Sequence, residues 1–288
     1  MKKIFKTIVA CLFLLSMHSC NNEEPNGGGT SEVNNLKAGQ IEIKAYPDQN
    51  NKLSFYAAAK SLTIDWGDGS IDVITSNGVG KEIIHEYTNQ NFQTIKINTE
   101  GLELIIICHN TSYPYNTIQT KGACHELRFG SCPDLKEIRC NSRLTELSIK
   151  SAPALTKLYC YNNQLTSLNM SGCPALAVLN CSFNQLTSLN VSGCTALGRL
   201  ECFNNQLTSL NISGCTALRC LYCHYNQLTD IALNSVFNNL LDREGRGGGG
   251  YDWGIYIDNN PGAYTCDRTI AENKGWSFWE IPPLDLFG

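Results

Sequence analysis

The chain has no second apolar run approaching the roughly 20 residues a helix needs to cross a bilayer, and its first, Thr7–Leu15, is far too short. Preceded by Lys2, Lys3 and Lys6, that run has the form of an export signal, so residues 1–19 are expected to be removed. Positive charge is also scarce: 22 Lys and Arg stand against 26 Asp and Glu, a net of −4. Loss of the three signal lysines leaves 19 basic against 26 acidic side chains, a net of −7. Without a basic stripe, nucleic acid is excluded as a partner. Catalytic signatures are missing too. There is no nucleophile elbow, no carboxylate pair at a predicted cleft and no metal motif. The glycine run Gly247–Gly250 lacks the Lys-Ser/Thr that would make it a phosphate loop, and it reads as a flexible connection. These absences leave a binding or structural protein, not an enzyme, and imply no cofactor and no metal.

Met17-His18-Ser19-Cys20 closes the signal. It resembles a bacterial lipobox, which implies that Cys20 is lipidated and becomes the mature N-terminus. Residues 20–36 carry almost no apolar side chains and cannot offset their own ordering entropy, so they are expected to form a disordered tether. Glu23 and Glu24 just after Cys20 resemble the surface-export signal of lipoproteins in the Bacteroides group. The expected location is the bacterial outer membrane, lipid-anchored and facing the cell exterior, with no other contact with the membrane.

A 21-residue repeat dominates what remains. Gln164–Asn169 recurs at Gln185 and Gln206, and Gln227 begins a fourth copy. Each unit reads Leu-x-x-Leu-x-Cys-x-x-Asn-x-Leu, as in Leu155, Leu158, Cys160, Asn163 and Leu165. An earlier, looser copy runs through Leu135, Ile138, Cys140 and Leu144, with Arg143 in place of the asparagine. The period of 2 in Leu-x-Cys describes a short strand with Leu and Cys on one face. One such unit buries too little to stand alone, so the units must stack. This pattern closely resembles the bacterial leucine-rich-repeat family, which implies a parallel-sheet solenoid. The repeated asparagine, able to donate and accept, is expected to satisfy turn backbone from inside. Gly172, Gly193 and Gly214 are expected to permit the turn into the next coil.

The chain has 15 cysteines, of which 13 remain once Cys11 and Cys20 are set aside. An exported chain would ordinarily pair them. Their register argues otherwise. Cys140, Cys160, Cys181, Cys202 and Cys223 form one row and Cys173, Cys194 and Cys215 another. Neighbours in such a row point the same way, which is poor disulfide geometry, so they are expected to be reduced and packed. Cys220-Leu-Tyr-Cys223-His224 matches a haem attachment pattern. Opposite strand faces for Cys220 and Cys223 rule that reading out, and the rows lack histidines at zinc-ligand spacing.

Before the repeats, Ile41-Glu-Ile43, Leu53-Ser-Phe55 and Ile95-Lys-Ile97 alternate as strands do. Asp65-Trp66-Gly67-Asp68-Gly69-Ser70, with His85 and Tyr87 downstream, resembles the PKD-type immunoglobulin-like domain. In that family the Gly-Asp-Gly segment forms a tight turn. Asp65 and Asp68 are read as turn formers, not calcium ligands, because the EF-hand pattern is absent. Residues 102–121 read as an irregular first coil with Ile106 and Cys108 at strand positions. After the repeats, Asp230 is expected to cap a helix with Leu233, Val236, Phe237 and Leu240 on one face. Ile255, Ile257 and Asn260 repeat the coil pattern, and a short helix over residues 267–273, ended by Gly275, closes the end with Trp276 and Phe278.

The expected fold is therefore mostly β, an immunoglobulin-like sandwich followed by a leucine-rich-repeat solenoid with a helix-containing cap. The segments are a signal (1–19), a tether (20–36), a PKD-like domain (37–99), the solenoid (100–229) and the cap (230–288). Binding is expected on the concave strand face, at the outward positions Tyr159, Tyr161, Glu201, Phe203, Tyr222 and His224, with Phe183 and Tyr225 at the rim. Asn180 and Ser182 share that face, and Tyr161, Phe203 and Tyr222 are expected on neighbouring strands. Exposed aromatics mark contact surfaces. The expected function is a monomeric, non-catalytic adhesion or recognition module for an extracellular protein or glycan. The alternatives are a spacer or subunit of a surface complex, or an enzyme whose nearest acid–base pair is His224 and Glu201.

Overall fold

A computed structural model describes residues 36–48, 50–108, 123–141, 143–242 and 254–279. The signal, Cys20, most of the tether and the Gly247–Gly250 connection lie outside these residues. The N-terminal strands are β1 (Gln40–Tyr46), β2 (Lys52–Ala58), β3 (Ser61–Asp65), β4 (Ile71–Thr75), β5 (Lys81–Glu86), β6 (Gln93–Glu100) and β7 (Leu104–Cys108). The next are β8 (Ala123–Ser131), β9 (Glu137–Asn141), β10 (Glu146–Ser151), β11 (Lys157–Tyr159), β12 (Ser167–Asn169), β13 (Val178–Asn180) and β14 (Ser188–Asn190). Last come β15 (Arg199–Glu201), β16 (Cys220–Tyr222), helix α1 (Asp230–Asn239), β17 (Gly254–Tyr256), helix α2 (Thr269–Glu272) and β18 (Ser277–Phe278).

The alternating strands form a sandwich. One sheet has the order β10-β8-β1-β6-β3-β4 and the other runs β18-β17-β16-β15-β13-β11-β9-β7-β2-β5. Both sheets pass without a break from antiparallel sandwich into parallel solenoid. In the first, β1 pairs antiparallel with β8, which pairs parallel with β10. In the second, β2 pairs antiparallel with β7, which pairs parallel with β9. A single buried cluster runs from Ile41 to Trp276. Across the junction, Arg128 on β8 makes two bonds to Glu146 on β10 (2.7 and 2.9 Å) and pairs with Glu126 and, at 3.5 Å, with Glu42 on β1.

The Asp65–Ser70 turn is held by its own side chains. Asp65 accepts from the Gly67 N–H, and Gly67 and Gly69 take the positive φ that a side chain would strain. Asp68 accepts from Ser70 and lies 2.8 Å from His85 Nε2. Partial burial raises its pKa, but the Ser70 and His85 hydrogen bonds outweigh that and hold it at about 2. His85 stacks on buried Trp66, and the Tyr87 hydroxyl donates to the Trp66 carbonyl.

The coils follow the sequence register. Leu158, Leu179, Leu200 and Leu221 are fully buried and pair in order along the sheet. Each buried leucine contributes on the order of 1.5–3 kcal/mol, which neighbouring coils supply to one another. Cys160, Cys181, Cys202 and Cys223 form a buried row of free thiols behind this sheet. Burial pushes Cys223 up to about 12 and the other three well above the usual thiol range, so none is a nucleophile at neutral pH. The second row, Cys173, Cys194 and Cys215, is buried behind the return leg, where β12 and β14 pair. Gly193 and Gly214 take positive φ at that turn; Gly172 does not.

Asparagine closes each coil. Asn205 Nδ2 donates to the Cys202 carbonyl of its own coil and to the Cys181 carbonyl of the coil before, and its Oδ1 accepts from Leu186 N–H. Asn163, Asn184, Asn226 and Asn260 repeat the arrangement. The amide thus satisfies backbone in two coils at once.

Two details differ from the sequence reading. Buried Ile105, not Ile106, lies opposite Ile138, because pairing with β9 sets the register of β7 one residue earlier. The cap of α1 is Thr229, whose side chain accepts from Ala232 N–H, so Asp230 is the first helical residue. Leu233, Val236 and Phe237 are buried, and Phe237 meets Phe278 edge-on.

Candidate functional site

Besides the residue before its buried leucine (Lys157, Val178, Arg199 and Cys220 in successive coils), each coil presents three further positions on the outward face of the ten-stranded sheet. The first lies between Leu and Cys, the second follows Cys, and the third is the corner where the chain leaves the strand. Parallel pairing brings equivalent positions about 4.8 Å apart from coil to coil.

The first row is Arg139, Tyr159, Asn180, Glu201, Tyr222 and Tyr256, as fixed by strand register. The Arg139 guanidinium lies 5.1 Å from the Tyr159 ring and that of Arg199 4.7 Å from the Tyr222 ring. Tyr222 and Tyr256 stack at 4.8 Å and 12°. Glu201 accepts from Asn180 Nδ2 at 2.7 Å and pairs with Arg199. The second row contains Tyr161, Ser182, Phe203 and His224. Phe203 and His224 stack at 4.5 Å and 9°. Tyr161 is half-buried and two coils from Phe203, since Ser182 stands between them. Only Phe203 and Tyr222 of the expected trio are on neighbouring strands; the identity of the intervening strand separates Tyr161 from them.

His224 is only 8% exposed although it faces away from the core, because Phe203, Tyr225 and Tyr256 enclose it. Among the described residues, its Nδ1 has no hydrogen-bond partner. Burial lowers its pKa to about 4 against the opposing charge of Asp258, so the ring is neutral at physiological pH. Glu201 is engaged by Asn180 and Arg199, and His224 by ring stacking. The two do not form a hydrogen-bonded acid–base pair.

The corner row carries backbone strain. Asn162, Phe183, Asn204, Tyr225 and Asn259 all have φ between 51° and 58°. Asparagine tolerates this left-handed conformation, whereas a bulky aromatic there is an outlier. Phe183 is nevertheless 49% exposed and Tyr225 44%. Phe183 meets Phe203 edge-on at 5.2 Å, and Tyr225 meets His224 at 5.6 Å and 64°. Phe183, Phe203, His224 and Tyr225 therefore make one continuous run.

Two members of the face escaped the sequence reading. Tyr256 occupies the outward position of the Ile255-x-Ile257 coil, a signal that was there to be used. Trp279 lies across Gly254, where an added Cβ would fall 2.1 Å from the indole, and it meets Tyr222 and Tyr256 edge-on. Nothing local in the sequence announces that contact.

Residues 153–193 match the family model for leucine-rich repeats, in two copies. The two coils within that span are leucine-rich repeats. Curated proteins give no match to this chain. Among solved structures, this chain is similar to the functional domain of InlJ from Listeria monocytogenes, a domain that includes a cysteine ladder. Identity is 28%, over 48% of this chain and 33% of that one, with a TM-score of 0.37. The chain thus spans about a third of the length of that structure.

Proposed function

We propose that this protein is a non-catalytic recognition module that binds an extracellular protein through the outward face of its leucine-rich repeats. The observation that carries the reading is the pair Phe183 and Tyr225. Both are large, exposed and held in a left-handed corner that three other coils fill with Asn162, Asn204 and Asn259. Packing does not account for side chains half in water, and the backbone disfavours them. Such strain accompanies contact sites. Exposed aromatics are also common interface anchors.

A protein is favoured over a glycan by the way the rings are used. Sugars stack on free aromatic faces. Here Tyr222 is covered by Arg199 and Tyr256, and Phe203 by His224. What these rings offer outward is edges and hydroxyls, which suit hydrogen bonding and packing against protein. The test uses the Tyr161→Ala, Phe203→Ala double variant against a partner isolated with the purified protein. Affinity should fall at least thirtyfold, on the order of 2 kcal/mol. Unchanged affinity with a normal fold would move the site to another surface.

The reading places this module on the outer surface of a bacterial outer membrane, as a lipoprotein like those of the Bacteroides group. Cys20 is the lipidated residue, and the N-terminal sandwich acts as a PKD-type spacer. The lipobox-like Ser19-Cys20 after a short apolar signal supports this. Cys20→Ser should move the protein from the membrane fraction to the soluble one. Retention of that variant in the membrane would refute the anchor while leaving the binding face untouched.

A further inference from the structure

The two free edges of the sandwich, β4 in one sheet and β5 in the other, are built differently. Each lies at the end of its sheet, so each carries an unpaired row of backbone N–H and C=O groups among the described residues. Native proteins blunt such edges with charge. β5 follows that rule, with Lys81, Glu82, His85 and Glu86 among its six residues. β4 does not. Its sequence is Ile-Asp-Val-Ile-Thr. Ile74 packs on the core, and Asp72 accepts the Trp66 indole N–H at 2.9 Å. That leaves Ile71 and Val73 in water, 64% and 73% exposed, on an otherwise polar outer surface shared with Ser61, Thr63 and Asp65 of β3.

We infer that β4 is a homotypic docking edge, which pairs antiparallel with β4 of a second copy of this chain. A second copy fits because the edge is self-complementary. With Val73 on the two-fold axis, Val73 faces Val73 of the other copy, Ile71 faces Thr75 and Asp72 faces Ile74. No like charges oppose one another, and the two strands satisfy each other's open backbone groups. The outward row Ile71, Val73, Thr75 then meets its own reversed image, so the exposed β-branched side chains cover each other across the new strand pair. Strands this short bury far less than the roughly 1,200 Å² of a standard interface. The association is therefore weak, and it sets in at concentrations on the order of 0.1 mM.

The experiment combines sedimentation with cross-linking of the purified full chain. The weight-average mass should rise towards that of a dimer as concentration approaches the millimolar range. Val73→Lys should hold it at the monomer value, with an unchanged circular dichroism spectrum because Val73 is exposed. In a separate arm, air oxidation should give a disulfide-linked dimer of Val73→Cys above the background of the parent chain, since residues opposite on antiparallel strands lie within disulfide reach. Ile84→Cys, equally placed on the other edge and 54% exposed, should give only background. A monomer at every concentration, association that survives Val73→Lys, or equal cross-linking at both edges would each overturn the proposal. None of these outcomes bears on the repeat face, which is reported by the partner-affinity test above.

Discussion

Asn205→Ala should destabilise the protein by about 3–4 kcal/mol, read as a lowered urea midpoint at constant slope. The side chain is buried, and its Oδ1 accepts the Leu186 N–H at 2.9 Å. Removing it strands that donor in the core, which costs about 1–3 kcal/mol by itself. The Cys181 and Cys202 carbonyls each lose one of two amide donors, because Asn184 also reaches the first and Asn226 the second. Each such neutral bond contributes about 0.5–1.5 kcal/mol. The exposed neighbour Gln206→Ala should change stability by less than about 0.5 kcal/mol. A loss below about 1 kcal/mol for Asn205→Ala would mean that leucine burial alone holds the coils in register.

The second large effect separates binding from stability. Replacing Phe183 and Tyr225 together by asparagine, the residue of the sister corners, should abolish partner binding and leave the unfolding midpoint nearly unchanged. Two anchors at about 2 kcal/mol each amount to a loss of roughly a thousandfold. In the fold, relief of the left-handed strain returns about 1 kcal/mol per site. That offsets the loss of one edge-to-face contact at each, about 0.5–1.5 kcal/mol. Truncating packed aromatic rings would instead cost about 3–5 kcal/mol apiece. A large drop in midpoint would make the two rings structural. Unchanged affinity with unchanged stability would leave the strain without a functional counterpart.

The two variants act on the inner and outer sides of neighbouring coils, and the difference explains what could be read from the chain. Inward residues were legible because each is fixed by a local rule. A strand two residues apart in Leu-x-Cys, followed by an asparagine three residues on, permits one arrangement, and four near-identical copies state it repeatedly. Leu200, Cys202 and Asn205 fell where the pattern put them. The outward positions were legible as positions, but their use was not. Whether Tyr222 offers a face or an edge depends on Arg199 and Tyr256, which come from the coil before it and from one 34 residues on. The thiol row behind the return leg was longer than it looked. Cys132 belongs to it, with Ala152 in the place between Cys132 and Cys173, and the matching backbone turns at Leu135, Leu155 and Leu176 show the equivalence.

By itself, then, the sequence determined the solenoid, its 21-residue period, the two thiol rows, the asparagine ladder and the buried face of the cap helix. These are products of periodicity, and periodicity is local. Tertiary structure alone decided three things. It joined the sandwich and the solenoid through shared sheets, because β1 finds β8 across some 80 residues and no local pattern encodes that partner. It enclosed His224 among rings from three coils and laid Trp279 over Gly254. And it left β4 as an unguarded edge among the described residues, because a strand becomes an edge only through the absence of a neighbour, which is a property of the assembled sheet and not of the strand's own residues.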